Sequence, residues 1–429
     1  MSTPARLLAV GLVAVLSVAA LAVTAAYLSD DEGQAGRSAS ASASPSSSAA
    51  VASPTPAASA PDDLARALAE IEAQVLELRG LPAPEIGPAE IIDRQQLAVE
   101  LAELLDAEWT DEELERANLT LRAMGLLADD QDLRELTERL LGDQVLGFYD
   151  PDEQRMVVVS DEGLSPLARI TYAHEYTHAL QDGAFRSFDA RDALTDDDAI
   201  LARQALEEGD ATVVMFQWAL AGNLTPDELQ DIGLTPQPDT SGVPGWMLRQ
   251  LEFPYLAGFT FVNQLRTSAG GSWSAVNDAY TDAPVSTEQV LHPEKYLAGE
   301  QPIEIDPIRM TQALSGGWED LEPTTMGEAM IDIWLVELGV DQATATGAAA
   351  GWGGDLLEVA AGPDGEWIMG WHMAWDTAAD AAQFLAAYDE AAAPAGMATF
   401  ASEGATGTET WVVHASSDEL IPRVFAFPD

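Results

Sequence analysis

Residues 173–182, AHEYTHALQD, place His174 and His178 four apart with Glu175 directly after the first of them. On a helix, such a pair lies on one face with Cβ atoms about 6 Å apart. Two imidazole nitrogens can then reach a single Zn²⁺ at about 2.0–2.1 Å. Glu175 is offset around the helix, where its carboxylate can reach a metal-bound water without ligating. Zinc acidifies such a water, and a nearby carboxylate can take its proton and pass it to a leaving amine. Two His and one Glu at these offsets are what metal-assisted peptide hydrolysis requires. A third protein ligand must then exist, in a chain with no Cys and five His in all.

A third His six residues after the second, with a Gly three residues after it, marks the metzincin peptidases; Ala184 and Gln181 hold those positions here. A carboxylate from a second helix is the remaining route. The stretch ALEEGDAT offers Glu208, with Gly209 allowing close backbone approach and Asp210 available to steady a ligand imidazole. Glu207 competes, but helical neighbours point about 100° apart, so only one of the two can ligate, and Glu208 is preferred.

An HExxH pair with a downstream Glu resembles the gluzincin branch of zinc metallopeptidases. More narrowly, HEYTHALQD, ALEEGDAT and STEQVLHPEKY resemble motifs of a bacterial family of exported or membrane-anchored metallopeptidases. The likeness runs from about residue 90 to the C-terminus and is strongest over 145–300. It implies Zn²⁺ at His174, His178 and Glu208, with Glu175 as base. After the Gln-Asp pair, this chain has GAFRSF where family members often carry another polar pair and His-Phe. The tetrahedral intermediate of peptide hydrolysis also needs a donor to its oxyanion. Thermolysin-like enzymes take it from a downstream His or Tyr; His292 is the first candidate, with Tyr255 and Tyr296 behind it. His372 and His414 fall at strand positions and read as structural, and the Trp-rich run GEWIMGWHMAW reads as sheet packing.

The elements that must position these residues are legible from periodicity. VLGFYDPDEQRMVVVSD reads as strand, Asp-Pro-Asp turn, strand, and PLARITYAHEYTHALQD as an amphipathic helix through Leu167, Ile170, Ala173 and Ala179. TDDDAILARQALEEGDATVVMFQWAL is a long helix with Thr195 as N-cap; its three Asp read as capping and dipole residues, since no EF-hand spacing is present. Residues 62–142 form a helical subdomain. Its first helix ends at Gly80, others cover about 89–107 and 110–127, the latter opened by a capping box at Thr110 and Glu113, and QDLRELTERLLG makes a fourth. Residues 143–300 make the zincin-like catalytic domain of strand hairpin, HExxH helix and Glu-bearing helix. Residues 301–429 make a small α+β domain. There TTMGEAMIDIWLVELG and TAADAAQFLAAYDEA are helical, GGDLLEVAAGPDGEWIMGWHMAW is a hairpin, and TETWVVHAS and IPRVFAF are strands. The expected class is α+β, predominantly helical.

The 429 residues carry a formal charge of −53, from 19 Lys and Arg against 72 Asp and Glu, with no basic cluster. That excludes nucleic acid and anionic lipid as electrostatic partners. Without Cys there are no disulfides and no thiolate metal sites. Within residues 1–28, Arg6 precedes an apolar run from Leu7 to Leu28, long enough to span a bilayer with its basic end in the cytoplasm. It serves as an anchor or as a secretory signal. Residues 29–61 form a Ser/Ala/Pro linker expected to be disordered. The sequence therefore points to zinc-dependent peptide-bond hydrolysis outside the cytoplasm, by a single-pass membrane or secreted protein acting on a peptide or protein substrate. The alternative is a zincin-like binding or scaffold protein without turnover.

Overall fold

The computed structural model describes residues 61–425, apart from 142–144, 161–162, 234–239, 315, 395 and 405. The apolar run at 7–28 and the linker up to residue 60 lie outside the described residues. Among the described residues, no helix is long and apolar enough to cross a membrane.

The described chain begins with helix α1 (Pro61–Arg79), stopped by Gly80 at φ 72°. Strand β1 (Glu90–Ile92) and helices α2 (Arg94–Glu108), α3 (Asp111–Met124) and α4 (Leu133–Leu141) follow. The capping box of α3 forms: Thr110 N donates to Glu113 Oε2 at 2.8 Å, and Glu113 N to Thr110 Oγ1 at 3.2 Å. Strands β2 (Gly147–Asp150) and β3 (Arg155–Val159) pair antiparallel, with Asp150 opposite Arg155. Strand β1 joins β3 in parallel, giving the order β1-β3-β2 with β2 at an edge. Periodicity predicts the helix of α2 from about residue 89. Instead Glu90–Ile92 is extended, and Asp93 caps α2 by accepting from Gln96 N at 2.8 Å.

Next come α5 (Pro166–Phe185), α6 (Ser187–Asp192), α7 (Asp197–Trp218), α8 (Pro226–Gly233), α9 (Gly245–Ser268), α10 (Ser274–Ala279), α11 (Thr287–Leu291) and α12 (Pro293–Ala298). The N-cap of α7 is Asp196, accepting from Ala199 N at 2.9 Å, and not Thr195. The two acids after it do more than complement the helix dipole. Asp198 accepts from Thr287 N at 3.0 Å, and Asp197 from Thr324 Oγ1 at 2.9 Å, fastening the start of α7 to neighbouring segments.

The remainder comprises β4 (Glu319–Asp320), α13 (Gly327–Glu337), α14 (Gln342–Ala349), β5 (Trp352–Ala361), β6 (Trp367–Trp375), α15 (Ala378–Glu390), β7 (Ala398–Glu403), β8 (Glu409–Ala415) and α16 (Ile421–Val424). Its antiparallel sheet has the order β4-β5-β6-β8-β7. IPRVFAF, expected as a strand, opens as the short helix α16. Pro422 brings no N–H to a ladder, and both sides of β8 are already taken by β6 and β7. Phe425 is the last residue described there.

The class is α+β and mainly helical, with two small sheets. Two apolar clusters matter for the site. One joins α2–α4 to the five-stranded sheet and α13–α15 through Leu121, Met124, Trp334, Trp371 and Phe384. The other packs α1, β2, β3, α5 and α7 together through Val75, Met156, Ala173, Ala179 and Val214. The HEYTH face of α5 is thus buried on all sides, and it is the second cluster that fixes its orientation.

Candidate metal centre

Helix α5 starts cleanly. Ser165 caps it by accepting from Ala168 N at 3.1 Å, and Pro166 sits in the first turn, where its missing N–H costs nothing. Its middle is fully enclosed: His174, Glu175 and His178 are each 0% exposed. Helix α7 brings Glu208, 1% exposed, against them. The approach of α9 to α7 is set by glycines, because a Cβ on Gly209 would overlap the Gly258 carbonyl and lie 2.8 Å from the Gly258 Cα. Both helices therefore meet backbone to backbone, and Tyr255, one turn before Gly258, is carried into the cluster.

Three donor atoms converge. His174 Nε2 lies 3.0 Å from Glu208 Oε2, His178 Nε2 lies 3.3 Å from the same oxygen, and the two Nε2 atoms are 2.9 Å apart. His178 Nδ1 lies 2.9 Å from Gln181 Oε1, while Gln181 Nε2 donates to the Glu207 carbonyl at 2.9 Å. The carbonyl can only accept, which fixes the Gln181 amide. Its oxygen then requires the proton on Nδ1, so Nε2 is the nitrogen of His178 that faces Glu208 and His174.

The electrostatics agree with donors gathered for a cation. Burial alone would raise the Glu208 carboxyl, but the neighbouring imidazoles, His178 foremost, reverse this and hold it at about 2. Burial lowers His178, yet the Glu208 carboxylate more than offsets that and holds it at about 9. Burial pushes His174 down to about 4. Two imidazole nitrogens and a carboxylate oxygen suit zinc, whereas calcium and magnesium prefer sets made only of oxygen. Ligands at about 2.1 Å in a tetrahedron stand roughly 3.4 Å apart, close to the 2.9–3.3 Å found here. The residues present fit the ion.

Glu175 lies beside this trio. Its Oε2 accepts from Tyr149 N of β2 at 3.0 Å, and its buried Oε1 has no partner. Burial raises its carboxyl well above the ordinary range. Tyr255, 2% exposed, has its ring 6.0 Å from that of His174, and burial, with the Glu208 and Glu175 carboxylates nearby, pushes its hydroxyl well above the ordinary range.

His292 is held elsewhere. It closes α11, and its Nε2 lies 3.0 Å from Glu328 of α13, with Glu294 at 3.9 Å on the other side. Tyr296 donates to the Asp282 carbonyl at 2.8 Å. Of the three oxyanion candidates, the fold therefore brings Tyr255 to the cluster and pairs the other two with different groups. Glu207 points away from the imidazoles toward Arg191 (2.9 Å) and Arg203 (3.4 Å), as its offset on the helix predicts. Asp210 does not steady an imidazole. It accepts from Arg79 Nε at 2.8 Å and from Tyr280 at 2.9 Å, which pins the end of α1 to the core. Gln181 takes the supporting role instead; its signal in the sequence is the i,i+3 spacing from His178 on the same helix face.

His372 stacks on Trp411 at 3.9 Å between centroids, and His414 bonds the Ala123 carbonyl and Tyr388. Trp352 and Trp371 donate to the buried carboxylate of Asp355. A second set of acids, Glu288, Glu300 and Asp376, surrounds the Lys295 ammonium at 2.6, 2.9 and 2.6 Å, so a cation of the chain already stands at its centre.

Residues 313–421 match a family described as Domain of unknown function (DUF8575), a stretch that takes in the five-stranded sheet with α13–α15 and none of the cluster residues. No curated protein and no solved structure matches the chain.

Proposed function

We propose that the chain is a zinc-dependent peptidase acting outside the cytoplasm, held to a membrane or released by its N-terminal segment, on a peptide or protein substrate. The observation that carries this is the approach of His174 Nε2, His178 Nε2 and Glu208 Oε2 to within 3.3 Å of one another beside a glutamate with an unpartnered oxygen. His174, His178 and Glu208 would hold the ion, which when bound supplies Lewis acidity toward a carbonyl and toward water. Glu175 is the base: its Oε1 is free to take a proton while Oε2 stays fixed on β2. Gln181 keeps His178 in the tautomer that presents Nε2. Tyr255 is the donor for negative charge developing on the substrate oxygen. The gluzincin resemblance of HEYTH and ALEEGDAT supports the same assignment.

The full burial of the cluster favours one other reading, a zincin-shaped scaffold that binds metal without turnover. Metal analysis of the full-length chain should give one zinc per molecule, and Glu208→Ala should abolish its tight retention. Glu175→Gln should keep the metal and lose hydrolysis of casein or of a peptide library. Wild-type protein fully loaded with zinc that hydrolyses neither would leave the scaffold reading in place of the peptidase.

A further inference from the structure

On the face of α9 away from the metal cluster, a groove of about 780 Å³ runs between α9, α11, α13 and α14. That volume is within the roughly 300–1,000 Å³ typical of ligand sites. Its walls include Leu248, Phe253, Leu256, Leu291 and Ile333, and Leu256 and Leu291 are each left 39% exposed. Three carboxylates line it, those of Glu252, Glu328 and Asp332, against Arg249 and His292. Even with His292 protonated, acid outnumbers base.

The carboxylates differ in how they are satisfied. Asp332 accepts from Thr346 at 2.9 Å and from Gln342 at 3.0 Å. Glu252 takes no hydrogen bond among the described residues. Glu328 is the telling one. Its side chain is 5% exposed, one oxygen meets His292 Nε2 at 3.0 Å, and the other is buried without a partner. A buried acceptor left unmet is costly, more so when charged, and a cationic donor entering the groove removes that cost.

We infer that this groove binds a peptide segment of another protein that sets one Arg or Lys side chain among apolar ones, the cation meeting Glu328 and Glu252 and the apolar side chains covering Leu256 and Leu291. An anionic ligand would face three carboxylates. A second copy of the chain, at a net −53, would bring repulsion. The inference does not depend on the metal cluster, whose residues line no part of this groove.

The test titrates full-length protein, at mildly alkaline pH, into dansylated Leu-Leu-Arg-Leu-Leu and into the same peptide with citrulline, the neutral isostere, in place of Arg. The Arg peptide should bind at least about tenfold tighter, the scale of one lost charge-assisted hydrogen bond. Glu328→Gln and Glu252→Gln should each shrink that gap while zinc retention stays unchanged. Equal affinity for the two peptides, no saturable binding of either, or a gap untouched by both variants would overturn the inference.

Discussion

The meeting of Gly209 and Gly258 decides how closely Glu208 and Tyr255 can be held, and Gly209→Ala tests it. The new Cβ would stand 2.8 Å from the Gly258 Cα and closer still to its carbonyl. Ordinary carbon contacts begin near 3.5 Å, so α7 and α9 must part by roughly 1 Å. The obstructing atoms are helix backbone, which has no rotamer to escape into. Overpacking costs about 1–3 kcal/mol, and the upper end applies here. Against this stands a gain of about 1 kcal/mol in helix propensity, leaving a net loss of about 2 kcal/mol. Glu208 is the preceding residue, and metal bonds tolerate deviations of about 0.2 Å, so zinc affinity should fall at least about tenfold. Gly183→Ala in α5 is the control. Its Cβ would meet Pro84 at 3.4 Å, an ordinary contact, so propensity alone should act and stability should rise. Urea unfolding of the metal-free protein and zinc competition with a chelator read both effects. A Gly209→Ala variant as stable as wild type, with unchanged zinc affinity, would refute this account of the helix contact.

Gln181→Leu removes the acceptor that orients His178 and should lower zinc affinity about 10–100-fold, the usual scale for such supporting groups; chelator competition measures it. Glu207→Gln takes the carboxylate from the buried Arg191 and Arg203, which should cost about 3–5 kcal/mol in urea unfolding while the zinc content stays at wild-type level. His414 is pushed down to about 4 by burial, below the 6.5 of a free imidazole, so the unfolded chain takes the proton first; its contribution is whole above pH 6.5 and lost as pH falls toward 4. At 1.36 kcal/mol per pH unit this is on the order of 3 kcal/mol, and His414→Gln should flatten the acid slope of unfolding free energy by about that amount, measured against wild type.

What the sequence revealed of the site follows from the range of the interactions involved. His174, Glu175 and His178 are positioned by a single helix, so their spacing alone predicts a shared face for the two histidines with Glu175 offset beside it. Glu208 needed a second helix, and elimination among carboxylates located it because the chain has no Cys and too few His. Glu207 and Glu208 separate by helix geometry, which is again local. Asp210 and His292 went otherwise because their partners, Arg79 and Glu328, lie 131 and 36 residues away in sequence, and only the tertiary fold shows those contacts. Helix α9 escaped because Pro254 stands inside it and reads as a breaker in EFPYLAGFTFV. The hairpins β2–β3 and β5–β6 were legible from local alternation and turns, whereas β1 and β7 have no such local signal.

The closed geometry of the cluster bears on both functional readings. His174, Glu175 and His178 are 0% exposed, and Tyr255, whose ring lies 6.0 Å from that of His174, is 2% exposed. A hydrolase built on this site must therefore open before a peptide carbonyl can enter. Pro254, beside Tyr255, has no N–H for the carbonyl of Gln250, so the helix is weakest one residue from the side chain that meets Glu208. Three residues further on, Gly258 is locked against Ala205 and Gly209 and cannot follow. A break in α9 at Pro254 would thus leave Tyr255, on its C-terminal side, held beside Glu208 by the glycine contact.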